Sequence, residues 1–323
     1  MTDGEGRTID YLRISVTDRC NLRCAYCMPE EGVAWMPHDM ILRYEEILRL
    51  CRIFGEMGVS KFKLTGGEPL VRRGLERLVA GLKALPNTRS VTITTNGVLL
   101  EERLPALLDA GLDGVNISLD TLDRERYRAL TRRDGLGQAL ASLDAALAVP
   151  GLNVKVNCVP REGGREDWIA LAGLAREKLL AVRFIELMPI GRGRGLSPCT
   201  EGELRGALEA AYGPMAPYEG PAMGNGPCRY AALPGFAGKI GFISAMSHQF
   251  CHGCNRVRLT ANGFLKTCLQ YETGVALRPL LTQDDSAIRA AIETAVQNKP
   301  AAHQFARQGV ENGEEHNMNQ IGG

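Results

Sequence analysis

The sequence predicts an α/β fold built around a parallel sheet. Three observations predict it: short β-rich runs alternate with longer stretches, those stretches carry apolar residues at helical spacing, and Pro and Gly breakers separate the two. Strand–helix alternation of this kind implies right-handed crossovers between parallel neighbours.

The β-rich runs, in order, are Arg13–Thr17, Lys61–Thr65, Val91–Thr95, Gly114–Leu119, Asn153–Val159 and Val182–Leu187. Helical pattern fills the intervals, as at Tyr44–Met57, Leu75–Leu85 and Gln138–Val149, and Pro86-Asn87 and Pro150-Gly151 end two of them. Six such units are fewer than a closed eight-unit barrel needs. An incomplete barrel and a doubly wound sheet both fit.

Residues 190–235 change character. Gly191-Arg192-Gly193-Arg194-Gly195, Gly220-Pro221 and Gly224-Asn225-Gly226-Pro227 predict irregular crossing loops. Lys239–Ser244, Arg256–Thr260 and Phe264–Cys268 read as short strands, the last two joined through Asn262-Gly263, a hairpin signal. Helical pattern returns near Ala287–Gln297, and the polar stretch from Lys299 to Gly323 would, on composition alone, fray.

The formal net charge is +1, which argues against nucleic acid as the main partner. No apolar run reaches the roughly 20 residues that span a membrane, and the first residues lack the apolar stretch of a signal peptide. A cytoplasmic location is the expectation. There, ten cysteines are many. Cys51 and Cys158 lie in helix and strand patterns and read as small buried hydrophobes. Six others form two groups, Cys20, Cys24, Cys27 and Cys251, Cys254, Cys268, and grouped thiols in a reducing compartment point to metal.

The first group follows the first strand. A closed zinc site takes four ligands, and the nearest histidine, His38, lies well beyond. A 4Fe–4S cluster on three cysteines keeps one iron open for a ligand. The second group again has three cysteines, with His252 poorly placed between two of them; structural zinc and a second cluster both stay open on the residues alone. Arg256 and Arg258 alternate along a strand and so point to one face. Beside an open metal site, two guanidiniums suit a multiply charged anion such as phosphate. A zinc-stapled binding module is the rival from another class, and metal analysis separates it.

Arg19-Cys20-Asn21-Leu22-Arg23-Cys24-Ala25-Tyr26-Cys27 resembles the signature of the radical S-adenosylmethionine (SAM) superfamily. The resemblance implies one 4Fe–4S cluster on Cys20, Cys24 and Cys27, whose open iron chelates SAM and whose electron yields a deoxyadenosyl radical. It also implies SAM contacts at Tyr26, Gly67 of Thr65-Gly66-Gly67-Glu68-Pro69, Ser118 and Met188. A superfamily member that matures peptides remains an alternative, although such enzymes usually carry more downstream cysteines.

Within the superfamily the chain is most similar, from Arg13 to Gly323, to the enzymes that open molybdenum cofactor biosynthesis. The likeness rests on Leu12 to Cys20, Tyr26-Cys27-Met28-Pro29, Cys251 to Thr260 with Cys268, and the closing Gly322-Gly323. It implies an incomplete (βα)6 TIM-like barrel over residues 1–190. A C-terminal extension of short strands and helices, 191–323, would carry a second 4Fe–4S cluster on Cys251, Cys254 and Cys268. GTP would be held by Arg13, Lys63, Thr94, Lys155, Arg256, Val257 and Arg258, with its guanine on the second cluster. Lys63 stands where many relatives carry Arg, keeping the charge and losing bidentate geometry. Hydrogen abstraction at ribose C3′ and addition to guanine C8 would give (8S)-3',8-cyclo-7,8-dihydroguanosine 5'-triphosphate. Arg13, Arg256, Arg258, Gly322 and Gly323 would serve catalysis. Flavodoxin or ferredoxin would supply electrons, cyclic pyranopterin monophosphate synthase would take the product, and monomer and homodimer both stay open.

Overall fold

A computed structural model describes residues 1–221, 223–305 and 314–322. Six consecutive strand–helix units come first: β1 (Tyr11–Ser15), α1 (Tyr44–Glu56), β2 (Lys61–Thr65), α2 (Leu75–Lys83), β3 (Ser90–Thr95), α3 (Leu100–Asp109), β4 (Gly114–Ser118), α4 (Arg124–Thr131), α5 (Leu136–Leu147), β5 (Asn153–Cys158), α6 (Arg165–Glu177), β6 (Ala181–Ile185) and α7 (Glu201–Tyr212). Shorter elements follow: β7 (Ala216–Pro217), β8 (Arg229–Ala232), β9 (Lys239–Ile243), β10 (Arg256–Leu259), β11 (Phe264–Lys266), β12 (Gly274–Ala276), α8 (Asp285–Gln297) and α9 (Met318–Ile321). Side-chain caps start several helices: Asp123 accepts from Arg126 N, Asp284 from Ala287 N, and Thr200 forms a reciprocal box with Glu203.

Among the described residues twelve strands join one sheet, in the order β12-β11-β10-β1-β2-β3-β4-β5-β6-β9-β8-β7. The eight from β10 to β9 are parallel. Antiparallel hairpins finish both ends. The later strands therefore do not form a sheet of their own. β9 pairs with β6 and β10 with β1, so the C-terminal part extends both ends of the parallel run. The first strand begins two residues earlier than its apolar pattern suggests, because Tyr11 and Leu12 pair with Arg256 and Val257.

Strand periodicity sorts the side chains. Leu12, Ile14, Phe62, Leu64, Val91, Ile93, Val115, Ile117, Val156, Phe184, Phe242, Val257 and Leu259 are buried on one face. Ile47, Leu50 and Phe54 of α1, Leu78 and Leu82 of α2, and Leu171 and Ala175 of α6 join them in one core. Cys51 and Cys158 are buried within it, as their patterns imply. The intervening positions carry polar and charged groups and face a single cavity. No helix among the described residues is long and apolar enough to cross a membrane.

Candidate active site

The polar face of the sheet lines a cavity of ≈ 390 Å³, within the range of small-ligand sites. Parallel register sets cations side by side across it. Arg258 pairs with Arg13, and Arg13 with Lys63, on the neighbouring strands β10, β1 and β2. Further along the sheet lie Lys155 on β5 and Arg183 on β6. Arg256, two residues before Arg258, shares its face. Among the described residues, Lys63, Lys155, Arg183, Arg256 and Arg258 form no ion pair with a carboxylate. The acids that line the same cavity have other partners: Glu68 accepts from Thr95 and the Asn96 N–H, Asp113 is engaged by Lys83, Asp120 by Tyr26, and Glu186 by Ser247 and the Met246 N–H.

Crowded like charges out of water destabilise one another. Burial, then Arg256 and Arg183, lowers the Arg13 guanidinium to about 10 despite Tyr11. Burial and Arg183 lower Lys155 to about 7. Lys63 and Arg258 are pushed well down by burial and by the neighbouring cations. Such a cluster suits a polyanion, whose charge would oppose every one of these shifts.

The other end of the cavity holds the first cysteine group. Cys20, Cys24 and Cys27 follow β1 on a loop and all line the cavity. Burial raises Cys20 to about 12 and Cys27 to about 11, and pushes the Cys24 thiol well up. Three buried thiols can ionise together only against a cation. Among the described residues, in neither triplet do all three sulfurs lie within 4.8 Å of one another. A tetrahedral zinc site with Zn–S bonds of about 2.3 Å would need sulfurs about 3.8 Å apart.

Gly66 and Gly67 form a close cradle beside these thiols. A Cβ on Gly67 would lie 2.4 Å from Arg19 O and 2.7 Å from Asp18 O, so only glycine fits there. Glu68 turns inward and accepts from Leu70 N, Thr95 Oγ1 and Asn96 N. Burial still raises it to about 7. Tyr26 Oη donates to Asp120 at 2.8 Å, and Ser118 and Met188 border the same space.

Cys251, Cys254 and Cys268 gather around the start of β10 and the end of β11 but do not line the cavity. Cys254 is lowered: burial opposes this, and Lys299 and Arg256 prevail. His252 is exposed. Thr94 faces the cavity and accepts from Asn116 at 3.3 Å. The side chain of Val257 does not, since alternation sends it into the core. Gly322 reaches Arg258, whose Nη1 donates to its carbonyl at 2.6 Å. Gly323 lies outside the described residues.

The sequence reading missed Arg183, Asn157, Asn116, Asp120 and Asn319, all lining the cavity. Arg183 was legible: it alternates with the buried Val182 and Phe184 as Arg256 and Arg258 do with Val257. Asn157 Oδ1 holds its guanidinium at 2.9 and 2.6 Å.

A parallel sheet whose strand ends carry three spaced cysteines beside a glycine cradle defines a radical SAM enzyme, and the radical SAM superfamily profile matches residues 14–170. The Molybdenum Cofactor Synthesis C family matches residues 180–305. GTP 3',8-cyclase of Petrotoga mobilis is 44% identical, with 100% of both chains covered. That of Pelotomaculum thermopropionicum is 46% identical over 94% of this chain and 95% of its own. The chain belongs to the GTP 3',8-cyclase family. Molybdenum cofactor biosynthesis protein 1 of Drosophila melanogaster is 43% identical over 94% of this chain and 54% of its own length. Among solved structures, Streptococcus suis SuiB shares the fold at a TM-score of 0.59, with 14% identity, 90% of this chain and 67% of that one covered.

Proposed function

We propose that the polar cavity is where GTP is converted to (8S)-3',8-cyclo-7,8-dihydroguanosine 5'-triphosphate, the first step of molybdenum cofactor biosynthesis. SAM and one 4Fe–4S cluster would sit at the Cys20, Cys24 and Cys27 end, with a second cluster on Cys251, Cys254 and Cys268. The single observation that carries this is the row Arg258–Arg13–Lys63, continued by Lys155 and Arg183 and opening toward the cysteine end. In this reading β1 to β6 form an incomplete (βα)6 TIM-like barrel, residues 1–190. Residues 191–323 are the extension that brings the second cluster and half of the GTP site.

When bound, the first cluster and SAM supply the radical that takes hydrogen from ribose C3′. The chain's residues do the rest. Arg13, Lys63, Lys155, Arg183, Arg256 and Arg258 neutralise the triphosphate and fix its orientation, which is much of what such a reaction requires. Thr94 and Asn116 offer hydrogen bonds between the charged end and the thiols. Gly67, packed on the Asp18–Arg19 backbone at the cavity wall, would turn its own backbone to the amino-acid end of SAM, and Ser118 and Met188 would border its nucleoside. The hydrogen-bonded Tyr26–Asp120 pair, lining the cavity with the thiols, would help to keep water from them. Arg13, Arg256 and Arg258 stabilise charge as the new bond forms, with Gly322 steering Arg258. A cytoplasmic location, electrons from flavodoxin or ferredoxin, and transfer of product to cyclic pyranopterin monophosphate synthase complete the reading.

The test is anaerobic incubation of the reconstituted protein with GTP, SAM and dithionite, followed by product identification. Cyclised GTP together with deoxyadenosine and methionine is the expected result. SAM cleavage with GTP recovered unchanged would overturn the substrate assignment.

A further inference from the structure

Residues 314–322 are held on the body of the protein at several independent points. Glu314 makes a buried ion pair with Lys266, and its carbonyl accepts from Arg194. Gln320 Oε1 accepts from the backbone N–H of Asn317 at 2.9 Å, and Ile321 is buried. Arg258 holds the carbonyl of Gly322. So many anchors define where the segment lies.

They hold Asn319 in an unusual state. Its side chain is 1% exposed and lines the cavity with Cys20, Cys24, Cys27 and Gly67. Nδ2 donates to Asp18 O at 3.1 Å, which fixes the amide orientation. Oδ1 is buried and, among the described residues, meets no hydrogen-bond donor. A buried acceptor left unmade is costly, and where the surroundings impose it the site is built for a donor. The backbone N–H of the same residue hydrogen-bonds Cys27.

We propose that Asn319 is a SAM-binding residue: its Oδ1 accepts a hydrogen bond from SAM, through the amino group or a ribose hydroxyl. A bare carbonyl oxygen repels phosphate, so the triphosphate is not its partner. The cationic, donor-bearing cofactor at the cysteine end is. Asp18, which Asn319 holds, also lies against the Gly67 cradle. SAM binding therefore tightens the segment that ends by presenting Gly322 to Arg258, so the cofactor prepares the substrate end of the cavity. The inference rests on the placement of SAM proposed above.

The experiment uses the anaerobically reconstituted full chain and measures equilibrium binding of labelled SAM and of GTP without reductant. Asn319→Ala and Asn319→Leu should weaken SAM binding about tenfold while GTP binding moves less than about twofold. Hydrogen exchange in 314–322 should slow on SAM addition in the parent protein and not in Asn319→Ala. Cys24→Ala serves as the control and should lose SAM binding altogether. Unchanged SAM affinity in both Asn319 variants, with the control abolished, overturns this proposal and leaves the site reading intact. Equal weakening of SAM and GTP also overturns it, making the residue a structural prop. Undiminished SAM binding in Cys24→Ala overturns the site reading itself.

Discussion

Arg258 Nη1 donates a 2.6 Å hydrogen bond to the carbonyl oxygen of Gly322, tying a strand residue of the cation row to a segment 64 positions later. Gly322 has φ +80°, and a Cβ there would lie 2.9 Å from Thr65 Oγ1 and 3.0 Å from Ser15 Cβ. Conformation and space both demand glycine. Deleting Gly322 and Gly323 is therefore expected to leave both clusters and SAM binding intact while sharply lowering the yield of cyclised GTP. Full cyclisation by the shortened chain would remove the pair from the mechanism.

Arg258 is buried beside Arg13 and holds the Gly322 carbonyl, and among the described residues no carboxylate pairs with it. If its charge serves the triphosphate, Arg258→Ala should weaken GTP binding by roughly 1.5–3 kcal/mol, about ten- to hundredfold. SAM binding should stay near the parent value. Calorimetry giving unchanged GTP affinity would contradict that role.

Lys155 supplies a pH signature. Burial and Arg183 hold its amine at about 7, so its charge is present below that pH and lost above it. A bound triphosphate favours the ammonium and raises the value. At about pH 8, GTP binding should then take up a proton, and the uptake should vanish by about pH 6, where the amine is already charged. Calorimetry in buffers of different ionisation enthalpy reads this directly. Lys155→Met should reduce the uptake; an identical proton count in that variant would assign it elsewhere.

The two triplets should fail differently. Reconstituted protein is expected to hold about eight irons, and Cys24→Ala or Cys268→Ala about four each. Cys24→Ala should abolish SAM cleavage. Cys268→Ala should keep cleavage and lose GTP cyclisation. Iron analysis finding zinc in place of iron at either triplet would restore the structural-metal reading there.

Local pattern made part of this legible. Alternation along Arg256–Thr260 put both arginines on one face, and the cysteine spacings located both metal candidates. Arg183 went unnoticed because Val182–Leu187 reads as an apolar run, and one arginine within it looks incidental until its neighbours are known. Asn319 carries no local signal: its meaning comes from Asp18 and Cys27, which only tertiary packing brings to it. The placement of β9 and β10 was hidden for the same reason. Parallel pairing between Tyr11 and Arg256 leaves no trace in either segment alone.

That last pairing has a consequence for how the molecule is made. β1 leaves the ribosome early, with β2 to cover one edge, and its other edge waits for β10, some 240 residues later. Until then the growing chain presents an open strand edge, a template for unwanted pairing with other chains. Cys20, Cys24 and Cys27 exist from the start, but the row Arg258–Arg13–Lys63 is complete only after β10 docks. Translation order alone thus makes the anion-binding half of the cavity the last part of the parallel run to mature, and a chain cut short before Arg256 carries radical chemistry's first ligands without a full seat for the substrate.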